Sequence, residues 1–456
     1  MSALGPSIVQ HRTGASWLVA VLFTCCFTLS YVDRHVISLL VEPIKSALTL
    51  SDTQIGVIQG LSFSVFYVLA SLPLAHLSDR GNRPRIITAC IAVWSCMTML
   101  CGLAANFWHL LLARIGVAAA ESGLPPAALT MMADTYEPKR LVRATSIFML
   151  APYLGGAIAL VGGGAIYAAV AQTPWPAIPG IGQLDSWQWV FIMAGAPGLL
   201  VALLVLWLLK EPRTAEASNK GEATVSELLT FLRTDWRPLM AYIVATALVV
   251  LLFNAQVAWV PAALMRAHGM DTHTVGVMFG PVFLVSGAIG TLGAGMLLGR
   301  AHGDVVTNTI RLLRVCLMVA LPAAVIGPQI SSVWIQLAVV GVSLLCSSAI
   351  LGMSTVPLQF ITPKPLRARI MALQGLVCAL IGTGLGPLLV GVLSDQLSSF
   401  ASQSLTVALS VIAVGTVPLS YLLLGRALRH FDGSAQASRS ERSALFGHPP
   451  VPVPEE

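Results

Sequence analysis

Charge is scarce in this sequence. Only 10% of its 456 residues are Asp, Glu, Lys or Arg, against about 25% in a soluble globular protein, and 56% are hydrophobic. That deficit excludes an ordinary soluble enzyme. The net charge of +6 is no nucleic-acid signal either, because the bases are scattered through short loops. There is no Asn-x-Ser/Thr sequon and no Gly-Lys-Ser/Thr, so the Gly-rich stretches Gly162-Gly163-Gly164 and Gly382-x-Gly384-x-Gly386 are not nucleotide loops, and an ATP-driven pump is disfavoured. The eight cysteines form no C-x-x-C pair and all fall in apolar runs, which argues against a disulfide framework and against a zinc site. No histidine cluster points to a metal, and no cofactor is expected. The N-terminus lacks a cleavable signal pattern, since its first apolar run is too long and more follow.

What is present is a succession of apolar spans, each near the 20 residues needed to cross a ~30 Å hydrocarbon core. Six precede a polar stretch and six follow it. The expected organisation is an all-α membrane protein of twelve transmembrane helices: a six-helix bundle over 1–209, a cytoplasmic linker over 210–237, a second six-helix bundle over 238–425, and a disordered cytoplasmic tail over 426–456. A short amphipathic helix is expected near Ser226–Arg233 in the linker. Of the 26 Lys and Arg, 22 fall on the side shared by the two termini. Lys45 and Arg266 lie on the other side, and Arg34 and Arg114 lie within spans. The asymmetry places both termini in the cytoplasm. Short loops and the missing sequon fit the inner membrane of a bacterial cell.

The loop after the second span, Asp79-Arg80-x-x-Arg83, has a faint echo after the eighth, in Gly299-Arg300-Ala301-His302-Gly303-Asp304. The 6+6 plan, this loop, Arg114 in the fourth span, Ala151-Pro152-x-x-Gly155-Gly156 in the fifth and Glu211-Pro212-Arg213 after the sixth together resemble the major facilitator superfamily. Ala75 and Asn82 stand where that family prefers Gly. Within it, Tyr31-Val32-Asp33-Arg34, Gly56 to Gln59, Leu77-Ser78-Asp79-Arg80, Trp94-Ser95 and Glu121-x-Gly123-x-Pro125 are similar to the Spinster branch. The resemblance implies the major facilitator fold, alternating access, and a cargo of the sphingolipid or lysophospholipid class. It also implies a cytoplasmic latch, in which Asp79 engages the N-terminal end of the eleventh helix, where a helix attracts negative charge. Arg80 belongs to that loop, and Arg83 can pair with Asp134 at the inner end of the fourth span. Positive-inside orientation alone is the alternative reading of the arginines.

Four charged residues lie deep in spans: Asp33, Arg34, Arg114 and Glu121. Each costs about 2.5–3.5 kcal/mol to insert, so such residues are rarely bystanders. At ~1.5 Å rise per residue, Asp33 and Arg114 both sit roughly 11–12 Å below the outer surface, which makes an Asp33–Arg114 ion pair geometrically possible. Glu121 is two turns deeper on nearly the same face as Arg114 and can share proton carrying or hold Arg114. Asp33 and Arg34 point about 100° apart, so they need different partners. We expect Asp33 to carry the coupling proton, and Arg34 and Arg114 to grip an anionic head group, with Arg34 the first choice for a substrate or gate contact and Glu121 beside them; the alternative is a static network that only fixes packing. Asn254, Gln256 and Trp259 on the seventh span and Gln374 on the eleventh are further cavity candidates. The expected function is a proton-coupled carrier of an amphiphilic molecule, acting as a monomer in the bilayer. A multidrug or organic-anion carrier is the alternative, and a lipid-modifying membrane enzyme is the alternative of another class, though no catalytic His/Asp or Ser/His set stands out.

Overall fold

The computed structural model describes residues 17–446 except 174, 176, 178–181, 212–224, 364–365 and 402; the side chains of Asp79, 225–235 and 432–446 are likewise outside the described residues. Eleven continuous helical spans are long and apolar enough to cross a membrane: α1 (Leu18–Leu39), α2 (Asp52–Ser78), α3 (Arg83–Cys101), α5 (Pro138–Gln172), α6 (Ser186–Leu208), α7 (Trp236–His268), α8 (Thr272–Arg300), α9 (Val305–Gln329), α10 (Val333–Ile361), α11 (Arg367–Leu397) and α12 (Ser404–Phe431). The fourth of the twelve expected crossings, α4, comes in two pieces, Phe107–Glu121 and Leu124–Thr135. No β-strand occurs among the described residues.

Three helix breaks lie at prolines, whereas Pro73, Pro197, Pro238, Pro261, Pro281, Pro322 and Pro418 sit inside unbroken helices. The first piece of α4 ends at Glu121, that of α5 at Phe148 and that of α10 at Met353. Each end lies four residues before a proline, Pro125, Pro152 and Pro357 respectively. A proline ring clashes with the carbonyl four residues back and donates no hydrogen bond to it, so the helix stops there. In α2 and α11 the departure is a wider turn instead, over Val57–Leu61 and Cys378–Gly384. Such π segments often mark functional places in a helix. Polar caps fix the other ends: Asn82 opens α3, Asn106 opens α4, Asp271 opens α8 and Asp304 opens α9.

Two expectations about the ends are corrected. The helix that carries α7 starts at Val225, so residues 226–233 begin that helix rather than forming a separate one. No Gly or Pro interrupts Val225 to Arg237. The helix that carries α12 runs to Phe446, so 426–446 is helical where a disordered tail was expected. Between Pro418 and Pro449 there is no proline, and Ala, Leu, Arg and Glu favour a helix there, against Gly433 and the serines.

Apolar packing divides by depth. At the end that carries Val41, Ile44, Leu264 and Val275, one core takes side chains from both bundles. Toward the other end the cores separate. One holds only residues from α1 to α6, such as Phe23, Trp94, Leu124, Phe148 and Val205. Its counterpart holds only residues from α7 to α12, such as Tyr242, Ile310, Met353 and Leu424. The molecule is therefore sealed across its two bundles at the end that the Lys/Arg asymmetry assigns to the outside, called the outer end below. On the inner half, Leu72 of α2 is 76% exposed and Met296 of α8 is 60% exposed.

Candidate functional site

The deep charges meet beside the seam between the bundles, though not in the expected pairing. Arg34 Nη2 donates to Glu121 Oε2 at 2.8 Å, with side-chain exposures of 20% and 0% respectively. Arg114, fully buried, donates from Nη1 to the main-chain oxygen of Asp33 at 3.0 Å rather than to its carboxylate. The reason lies in helix geometry. The ~100° between Asp33 and Arg34 turns Asp33 toward α3, where Thr98 lies beside its carboxyl group, and turns Arg34 toward α2 and the seam. The break at Pro125 leaves Glu121 at the end of its helix piece, facing Arg34. An Asp33–Arg114 ion pair and a Glu121–Arg114 contact are thus replaced by Arg34–Glu121 and an Arg114 bond to the backbone.

Three aromatic rings enclose the Arg34 guanidinium. Its Cζ lies 4.4 Å from the Phe63 centroid, 4.7 Å from Tyr31 and 5.4 Å from Tyr67. Facing rings hold a cation by their quadrupoles, and here they hold it while one edge stays accessible. Deeper in the bundle, Asp33 Oδ1, Glu121 Oε1, Arg114 Nε and Thr98 Oγ1 are buried without a hydrogen-bond partner among the described residues. Buried polar atoms are seldom left so.

A small cavity between the bundles is lined by Arg34, His35, Ser38, Gln59 and Phe63 on one side, and by Asn254, Val257, Ala258, Thr383 and Pro387 on the other. Ser38 donates to Gln59 Oε1 across it at 3.3 Å. Of the four cavity candidates in the second bundle, only Asn254 faces it. Gln256 exchanges hydrogen bonds with Ser343 of α10 at 2.9 and 3.1 Å. Trp259 donates to the Pro387 carbonyl at 2.8 Å, and Gln374 donates to the Ser354 carbonyl at 3.1 Å. All three are buried and bind the second bundle together, as single amides and indoles commonly do. Sequence reasoning passed over Phe63, Tyr67, Gln59 and Ser38. Their signal was the spacing Gln59, Phe63, Tyr67 on α2, which repeats every four residues and aims one face at the seam.

At the inner end, Arg83 Nη1 meets Asp134 Oδ2 at 2.7 Å, the pair expected from sequence. Glu211 joins it, accepting from the Arg83 backbone N–H at 2.7 Å and from its guanidinium at 2.6 and 2.8 Å. Arg80 is exposed. The expected contact of Asp79 lies outside the described residues. At the outer end, the two bases that the charge count left there both serve Asp52, the first residue of α2. Lys45 Nζ lies 2.6 Å from Asp52 Oδ1; Arg266, from α7, bonds both Asp52 oxygens at 2.7 Å and Glu42 at 2.7 Å. Among the described residues, the ion pairs that join the two bundles are these bonds of Arg266. No group of three or more His, Cys, Asp or Glu among them is arranged to hold a metal.

The profile of the Major Facilitator Superfamily matches residues 23–387. An MFS-type efflux pump of Mycolicibacterium smegmatis is 30% identical over 395 residues, covering 85% of this chain and 87% of that one. The sphingosine-1-phosphate transporter SPNS2 of Danio rerio is 24% identical, covering 84% and 77%. Among solved structures, a bacterial homologue of the human lysosomal transporter Spinster, in an inward-facing and unoccupied conformation, superposes with a TM-score of 0.75 at 26% identity, covering 90% of this chain and 97% of that one.

Proposed function

The chain belongs to the major facilitator superfamily, a multi-pass membrane transporter rather than an enzyme, and we propose that it is a proton-coupled carrier of an amphiphilic, lipid-like molecule of the sphingolipid or lysophospholipid class, working by alternating access. The observation that carries the proposal is the site itself. A guanidinium held in an aromatic enclosure faces a cavity between the bundles, with an incompletely satisfied carboxylate, Asp33, one residue away. Arg34 is the anion contact, and its aromatic surround suits the apolar part of the same molecule. Asp33 is the proton carrier. A carboxylate in this setting answers to burial and to neighbouring charge, so relative movement of Arg114 or Glu121 during the cycle ties proton exchange to conformation.

Closure at the outer end and separate cores at the inner end support an inward-facing state of that cycle, with both termini in the cytoplasm of an inner membrane. The reading leaves the chain a monomer, since one chain supplies both bundles. A second reading, efflux of a drug or other organic anion through the same cavity, draws on the 30% identity to the mycobacterial pump. The test is a binding panel on the purified protein, with sphingoid phosphates, lysophospholipids and organic-anion drugs, at several pH values. A pH-dependent preference for single-chain lipids, lost in Asp33→Asn, supports the carrier proposed. Preference for the drugs moves the assignment to the second reading.

A further inference from the structure

Helices α2 and α11 touch across the two bundles and run in opposite directions, and they end in the same three residues, Leu77-Ser78-Asp79 and Leu393-Ser394-Asp395. At the outer end the bonds of the second triplet are visible. Asp395 Oδ1 accepts from the Asp52 N–H at 3.1 Å, and Oδ2 accepts from the Thr53 N–H at 2.8 Å and from the Thr53 hydroxyl at 2.7 Å. The Ser394 hydroxyl donates to Asp52 Oδ2 at 2.7 Å. The first amides of a helix have no carbonyl of their own to bond, and that end carries partial positive charge. Ser51 already caps Gln54 locally, at 3.1 Å. Asp395 is thus a second cap on α2, supplied by the opposite bundle.

The backbones are close enough for this contact to depend on glycine. A Cβ at Gly391 would stand 2.3 Å from the Asp52 carbonyl oxygen, and one at Gly60 would stand 2.4 Å from the Gly384 carbonyl oxygen. Further in, the first stretch of α11, Arg367–Val377, packs mainly on helices of its own bundle. The two helices are therefore pinned at one end and parted toward the other.

We infer that Asp395, positioned by Ser394, is the outer lock of the transport cycle. It holds the start of α2 while the outer end is shut and lets go when that end opens. Asp79 stands at the matching place in α2, where the family resemblance makes it the expected latch of the inner end. Arg266 assists at the outer end through Asp52, but its pairing joins side chains, whereas Asp395 bonds the helix backbone directly.

This inference rests on the alternating-access reading, and the experiment separates the two. Spin labels on the exposed outer residues Ala47 and Ser399 report the outer opening by double electron–electron resonance, with the full chain in proteoliposomes and with or without an imposed pH gradient. Wild type is expected to show a short and a long distance. Asp395→Asn keeps the shape of the side chain but loses the charge at the helix start and one of the two acceptor oxygens, and it raises the long-to-short ratio by about five-fold or more. Ser394→Ala shifts the ratio the same way by less, and Asp79→Asn shifts it oppositely. If wild type shows both distances and neither Asp395→Asn nor Ser394→Ala moves their ratio, the lock is wrong and alternating access stands. If wild type shows one distance under every gradient and no variant moves it, alternating access is wrong and the lock falls with it.

Discussion

Glu121 is fully buried while its partner Arg34 keeps a fifth of its side chain accessible, so the two sides of this pair respond differently to loss of the other. Glu121→Gln leaves a guanidinium without its counter-charge in a largely apolar enclosure. Removing one partner of a buried pair costs about 3–5 kcal/mol, and the partial exposure of Arg34 puts the expected loss near the lower bound. In a double-mutant cycle, Arg34→Gln with Glu121→Gln is expected to be less destabilised than the two single losses added together, as measured by thermal or denaturant unfolding in detergent. Additive losses would show that the pair carries no coupling. Gln256 provides the contrast. Gln256→Ala breaks its exchange with Ser343 and is expected to cost about 1–3 kcal/mol of stability, with substrate affinity unchanged, whereas Asn254→Ala lowers affinity with little change in stability. Which residues were charged and deep was legible in the sequence. Which of them pair was not, because a 100° difference in direction is plain from spacing, but the partner that fills each direction depends on how α2, α3 and α4 are set around α1.

At the scale of elements, the sequence showed where helices run but not where they break. Gly-x-Pro-Pro after Glu121 reads as a weak interruption in an apolar run; in the structure it ends a helix piece and aims the last carboxylate of that piece. Continuous apolar sequence hides this, since hydropathy measures where a segment sits and proline decides whether it is straight. The π segments of α2 and α11 were not legible at all. They meet where Gly60 approaches the Gly384 carbonyl, a contact between residues more than 300 positions apart. Gly60→Ala places a methyl where that carbonyl stands. It is expected to push α2 and α11 apart and favour opening of the outer end, read as increased labelling of a cysteine introduced at the buried outer position by Ala263→Cys, with a membrane-impermeant reagent. Unchanged labelling would mean the two helices absorb the methyl by local shifts.

For the whole molecule, the 6+6 plan, the polar centre of the chain and the confinement of deep charge to the first bundle were all readable from apolar spans and from 26 bases sorted by side. The exceptions to that sorting are Lys45 and Arg266. Their position on Asp52 at the closed end gives them a function, which no count of charges per loop contains. Joined and separate cores at opposite ends likewise arise only once both bundles are assembled. Coupling of amphiphile movement to protons through Asp33 is read from the flux of a labelled lysophospholipid or sphingoid phosphate across proteoliposomes under an imposed pH gradient, for wild type and Asp33→Asn in equal amounts. Gradient-driven flux that a protonophore abolishes in wild type, and that Asp33→Asn lacks while still binding the lipid, is the predicted result; gradient-driven flux retained in Asp33→Asn would contradict it.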